Sequence, residues 1–176
     1  DFGKALDLYF GILKSEPGNA DIKHRIGICY LNSEDKKQLA VSYLEEAVQH
    51  VSVKYDDKSF HEINAPVEAY FLLGSAYRVN NQLQEAIGAY DKYKTYLDKN
   101  DRYQRNVTDL YIESCRTAER LLARKRETTF SNLGSAINND KPNFNAVVSA
   151  DGNTLAFTSP GRQGYEIWVA DKKDSL

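Results

Sequence analysis

Two periods divide the chain. Through the helical part, apolar positions recur every three to four residues, the spacing of one helix face, and after Thr128 they gather into short runs of strand character. Three stretches of the helical part share one pattern. The clearest reads Tyr70-x2-Leu73-Gly74-x2-Tyr77, then Ala86-x3-Tyr90. A second reads Ile26-Gly27-x2-Tyr30, then Ala40-x3-Leu44-x2-Ala47, and the chain opens on Ala5-x3-Tyr9-x2-Ile12, closed by Pro17-Gly18-Asn19. Glycine inside a helix costs about 1 kcal/mol relative to alanine, so Gly27 and Gly74 at matching places predict a packing demand. There the second helix of each pair comes close, with Ala5, Ala40 and Ala86 as the small surfaces opposite. From Arg102 to about Arg126 no Gly or Pro interrupts the pattern. Val107, Leu110, Tyr111, Ser114, Cys115, Ala118, Leu121 and Leu122 then predict one long helix.

The repeated spacing resembles the tetratricopeptide (TPR) pattern W-x2-L-G-x2-Y…A-x3-F, with tyrosine in the Trp and Phe slots. The second copy departs from it, with Lys23 in the first aromatic slot and one extra residue in the turn. The resemblance implies helical hairpins that stack, because a single hairpin cannot bury its apolar face, and stacking creates a concave surface. Gly27 and Gly74 are 47 residues apart, more than the roughly 34 of one repeat, and the excess falls around Tyr55 to Pro66. That insertion reads either as a surface connection or as a binding loop.

After Thr128, Asn145-Ala146-Val147-Val148-Ser149, Thr154-Leu155-Ala156-Phe157-Thr158 and Tyr165-Glu166-Ile167-Trp168-Val169 predict three strands. Asp151-Gly152-Asn153 and the Ser159-Pro160-Gly161 to Gly164 stretch mark the turns of an antiparallel meander. So small a sheet buries little, and further chain beyond Leu176 is expected to support it. The fold class expected is mainly α: a TPR α-solenoid over 1–127 with a long capping helix, then a short antiparallel β segment over 128–176.

The Val148–Ser159 segment, followed by Glu166-Ile167-Trp168-Val169-Ala170, resembles a blade of the TolB-like, WD-related β-propellers. TPR hairpins, a long helix, then Phe130-Ser131-Asn132-Leu133-Gly134-Ser135-Ala136-Ile137-Asn138 leading into the Ser-Ala-Asp-Gly blade are together similar to the N-terminal half of Bacteroidetes envelope proteins. Those continue into a full propeller and usually an OmpA-like peptidoglycan-binding domain, and they include the PorE-type component of the type IX secretion system. The resemblance implies a periplasmic scaffold associated with the outer membrane. The sequence holds about one blade and neither an OmpA-like segment nor a lipobox cysteine, so peptidoglycan binding and any membrane anchor are not assigned to these residues.

Composition narrows the chemistry. The chain is 41% hydrophobic and 27% charged, which suits a packed core, and its net charge of −2 provides no general attraction to nucleic acid or anionic lipid. No apolar run reaches the roughly 20 residues of a membrane span. The opening Asp1-Phe2-Gly3-Lys4 carries no signal-peptide pattern and starts inside a helix, so a fragment or processed form is expected. Cys29 and Cys115 read as core thiols, and His24, His50 and His61 lack ligand spacing. Glu45-Glu46, Asp56-Asp57 and Glu166 with Asp171 read as surface carboxylates. The expectation is a non-enzyme with no cofactor or metal. Arg116, Arg120 and Arg124, followed by Lys125 and Arg126, read as a solvated helix face.

For the partner-facing side, spacing from the packing glycines selects Asp21, His24, Ile28, Leu31 and Asn32 on one helix, and Glu68, Phe71, Ser75, Arg78 and Val79 on another. Their mix of apolar and polar groups suits an extended or helical peptide. Two alternatives stand beside this protein-interaction scaffold: a carbohydrate or peptidoglycan module using stacked rings, and a spacer that positions a downstream propeller. Most of the 12 tyrosines fall in packing slots, which favours the protein scaffold over sugar binding.

Overall fold

The computed structural model describes residues 2–124 and 128–173. The chain forms two compact units, Asp1–Lys125 and Arg126–Leu176. Among the described residues the first unit is helical: α1 (Phe2–Ser15), α2 (Ala20–Leu31), α3 (Ala40–Ala47), α4 (Ala69–Val79), α5 (Leu83–Tyr96) and α6 (Arg102–Leu122). A 3-10 turn, Lys37–Leu39, leads into α3. Each helix packs on the next in sequence. No helix among the described residues is long and apolar enough to cross a membrane.

Side-chain caps start α2 and α6. Asn19, after the Pro17-Gly18 turn, accepts a hydrogen bond from the Ile22 amide at 3.0 Å, and Asp101 accepts one from Gln104 at 3.0 Å. Packing then pairs the helices. A Cβ at Gly27 would lie 2.5 Å from Leu44 Cγ, and one at Gly74 would lie 2.6 Å from Tyr90 Cε1. Leu44 and Tyr90 are fully buried, each four residues after the buried alanines Ala40 and Ala86, so the same glycine-on-large-residue contact recurs in both helix pairs. One core joins Ile26 and Tyr30 of α2 to Leu44 of α3 and Leu73 of α4. A second joins Leu83, Ala86 and Tyr90 of α5 to Ile112 and Cys115 of α6.

Between α3 and α4 the insertion is tied down at both ends. Two short strands, β1 (Val51–Ser52) and β2 (Ala65–Pro66), pair in parallel. The Ile63 carbonyl accepts from the Ala20 and Asp21 amides at 2.7 and 3.3 Å, so the insertion satisfies donors that the start of α2 leaves open. Most of its residues are exposed, Phe60 completely.

α6 ends at Leu122, four residues short of the expected limit, and Arg124 lies in a turn; Lys125 and Arg126 lie outside the described residues. Its buried stripe is Thr108, Ile112 and Cys115, whereas Leu110, Leu121 and Leu122 are exposed. Thr108 is tolerated in the core because its hydroxyl donates to the Gln104 carbonyl at 2.7 Å. Arg120 pairs with Glu113 at 3.1 Å and Arg116 with the same carboxylate at 3.8 Å, all on an exposed face.

The second unit holds a three-stranded antiparallel sheet, ordered β3 (Phe144–Val148), β4 (Thr154–Pro160), β5 (Tyr165–Asp171). Gly152, at φ +73°, makes the first turn, where an L side chain would be strained. A register shift between Phe144 and Val147 accompanies Asn145 at φ +53°, a bulge in β3. Phe157 and Ser159 of β4 are buried.

Candidate functional site: an open groove in the helical unit

The first unit carries an open groove of about 630 Å³. His24 and Ile28 of α2, Glu68, Phe71 and Leu72 at the start of α4, Tyr93 of α5 and Gln104 of α6 line it, with Tyr55, Asp57 and Pro66 from the insertion. The arrangement follows from packing. The glycine sides of α2 and α4 are spent on Leu44 and Tyr90, which leaves their other sides to form the groove wall.

Four of the residues selected by spacing, His24, Ile28, Glu68 and Phe71, meet in this groove. Of the other six, Leu31 is half-buried against the core, Val79 is exposed, and four serve the fold around the groove. Asp21 is buried, accepting from Arg25 Nε at 2.7 Å and from the Tyr55 hydroxyl at 2.6 Å. Asn32 ends α2, its amide donating to the Ile28 carbonyl at 2.8 Å. Ser75 lies 3.1 Å from the Tyr90 hydroxyl and donates to the Phe71 carbonyl. Arg78 stacks its guanidinium 4.8 Å over the Tyr111 ring, and its Nε is buried without a hydrogen-bond partner. Phe71 itself is half fold and half groove, with ring centroids 5.2, 5.5 and 5.0 Å from Tyr90, Tyr93 and Tyr111. Phe71→Ala and Arg78→Glu would therefore disturb packing as well as surface.

Counting from the glycines missed Leu72, Tyr93 and Gln104, whereas Tyr55, Asp57 and Pro66 lie in the insertion for which the sequence left a binding-loop reading open. Tyr93 carried a faint signal, being one turn from Tyr90 on the same helix. Beyond the loop reading nothing singled out Tyr55 itself, because its role depends on Asp21 and Arg25, distant in sequence: it donates to the Asp21 carboxylate and accepts from Arg25 Nη2 at 3.1 Å. Burial first, then the hydrogen bond to Asp21, push the Tyr55 phenol up to about 12. Tyr55→Phe should cost about 1 kcal/mol and loosen the insertion. Amide exchange at Ala20, bonded to Ile63, should quicken in that variant; unchanged exchange would mean that Tyr55 does not hold the loop.

The groove's electrostatics are one-sided. Asp57 and Glu68 are its charged lining residues, both exposed. Burial, then the nearby Glu68 and Asp101 carboxylates, raise the Tyr93 phenol above its usual range. His24 is buried, its Nδ1 unpartnered. Burial pushes its imidazole down to about 4, outweighing Asp21, so it is neutral at pH 7. Among the described residues no group of three or more His, Cys, Asp or Glu side chains could hold a metal ion.

No protein-family model matches the chain, and no curated protein matches it in sequence. What defines it is its build: a mainly α chain with a small three-stranded antiparallel sheet and an open, acid-lined groove in its helical unit.

Proposed function

We propose that this chain is a non-catalytic protein-interaction scaffold of a bacterial cell-envelope assembly, in which TPR-like hairpins hold a segment of a partner protein. The groove carries this reading. It is open, it has an apolar floor of Ile28, Phe71 and Leu72, and polar groups stand at its sides, as peptide-holding grooves require. The glycine contact repeated at Gly27 and Gly74 supports the TPR assignment. The envelope setting, the periplasmic and outer-membrane association, and a place in type IX secretion rest on the resemblance to the Bacteroidetes TPR, propeller and OmpA-like proteins. Peptidoglycan contact belongs, on this reading, to an OmpA-like domain and not to these residues. Sugar stacking is less well supported, because Tyr90 is fully buried and Tyr70 is stacked on Tyr96.

A photo-cross-linking amino acid placed at Glu68, in the groove, should trap a defined envelope protein, whereas the same group at Ser42, exposed and outside the groove, should not. Identical products from both positions, or none from either, would leave the helices as a spacer for the downstream sheet.

A further inference from the structure

Resting on the groove as a peptide dock, we infer that its ligand is a segment in which lysine or arginine flanks a large apolar side chain. Charge complementarity carries this. Both charged lining residues, Asp57 and Glu68, are acidic, and no Lys or Arg lines the groove among the described residues. The chain as a whole is close to neutral, so this acidity is local.

Arg25, Arg105, Lys94 and Arg78 do not offset it, because each of these four is engaged elsewhere. Arg25 is held by Asp21 and Tyr55, and Arg105 donates to the Lys94 and Leu97 carbonyls at 3.2 and 3.4 Å. Lys94 is paired with Asp109, and Arg78 lies over Tyr111. His24 adds no positive charge at neutral pH. An acidic ligand would meet repulsion from Asp57 and Glu68, while a basic one meets two carboxylates. The floor of Ile28, Phe71 and Leu72 excludes a purely charged ligand as the best fit, since it accepts an apolar side chain and buries it.

The test is fluorescence anisotropy of the full chain with three labelled peptides, alternating Leu with Lys, Leu with Glu, and Ser with Lys. The Leu-Lys peptide should bind at least about tenfold more tightly than the other two, and Glu68→Lys should weaken it about tenfold. Glu68 is exposed and makes no side-chain cap, so this variant should fold, which circular dichroism checks. Preferential binding of Leu-Glu that is lost in Ile28→Ser would overturn the cation preference while leaving the groove as a dock. Binding of Leu-Lys indifferent to both Glu68→Lys and Asp57→Lys would overturn the inference by moving the contact elsewhere. Absence of binding by all three peptides would sink the inference and the docking function together.

Discussion

Gly74→Ala should destabilise the helical unit by about 2 kcal/mol net, while Gly88→Ala should stabilise it by about 1 kcal/mol. The same substitution changes sign because of what each new methyl meets. Both glycines lie inside helices, α4 and α5, so both gain the helical preference of alanine. At Gly88 there is nothing within 4 Å of a Cβ, and the gain stands alone. At Gly74 three Tyr90 ring atoms lie between 2.6 and 2.9 Å from the Cβ position. That ring cannot easily retreat, being fully buried and in contact with the Phe71 and Tyr111 rings. Overpacking then outweighs propensity, and α4 must shift from α5. Gly27→Ala should move in the same direction, since its Cβ would strike fully buried Leu44. Urea unfolding followed by circular dichroism measures all three. Stabilisation by Gly74→Ala would mean that the two helices do not approach there.

Between pH 7 and pH 5 the helical unit should lose about 2 kcal/mol of stability through His24 alone. The folded state holds this imidazole neutral down to about 4, whereas the unfolded chain protonates it below its ordinary 6.5. More protons are therefore bound by the unfolded state in that window. The stabilisation is present above 6.5 and disappears as pH falls toward 4. Two charged neighbours act on the ring: Asp21 favours protonation and Arg25 opposes it, but they are paired with each other, which leaves burial in control. His24→Gln should be less stable at pH 7, yet its loss from pH 7 to pH 5 should be smaller than that of the unaltered protein by about 2 kcal/mol. Parallel pH profiles for the two proteins would show that the imidazole is not buried in its neutral form.

Much of the local architecture was legible in the residues. α1, α2 and α4 end near Pro17, Asn32 and Asn80, Gly27 and Gly74 sit at close approaches, and the change to strands after Thr128 with a turn at Gly152 reads directly from the period and the turn residues. The site was legible in part. Counting from the packing glycines led to His24, Ile28, Glu68 and Phe71, because helical geometry fixes which residues lie away from a packed face. The same counting put Arg78 and Ser75 on the open side, where aromatic neighbours on other helices take them up instead.

By itself the sequence determined the helical segments and the three strands after Thr128, the places of closest helix approach and the absence of any general charge bias, but not the short β1 and β2 pair. These follow from backbone sterics, side-chain period and composition, all of which act over a few residues. Only the tertiary structure decided that the insertion folds onto the start of α2 through Ile63 and Tyr55, that α6 buries Ile112 and Cys115 while Leu110 and Leu121 face outward, and that Asp57 and Glu68 share one groove. Each of those outcomes joins residues from separate elements, and contacts of that kind are settled by which faces pack together, a property of the assembled helices rather than of any one stretch of chain.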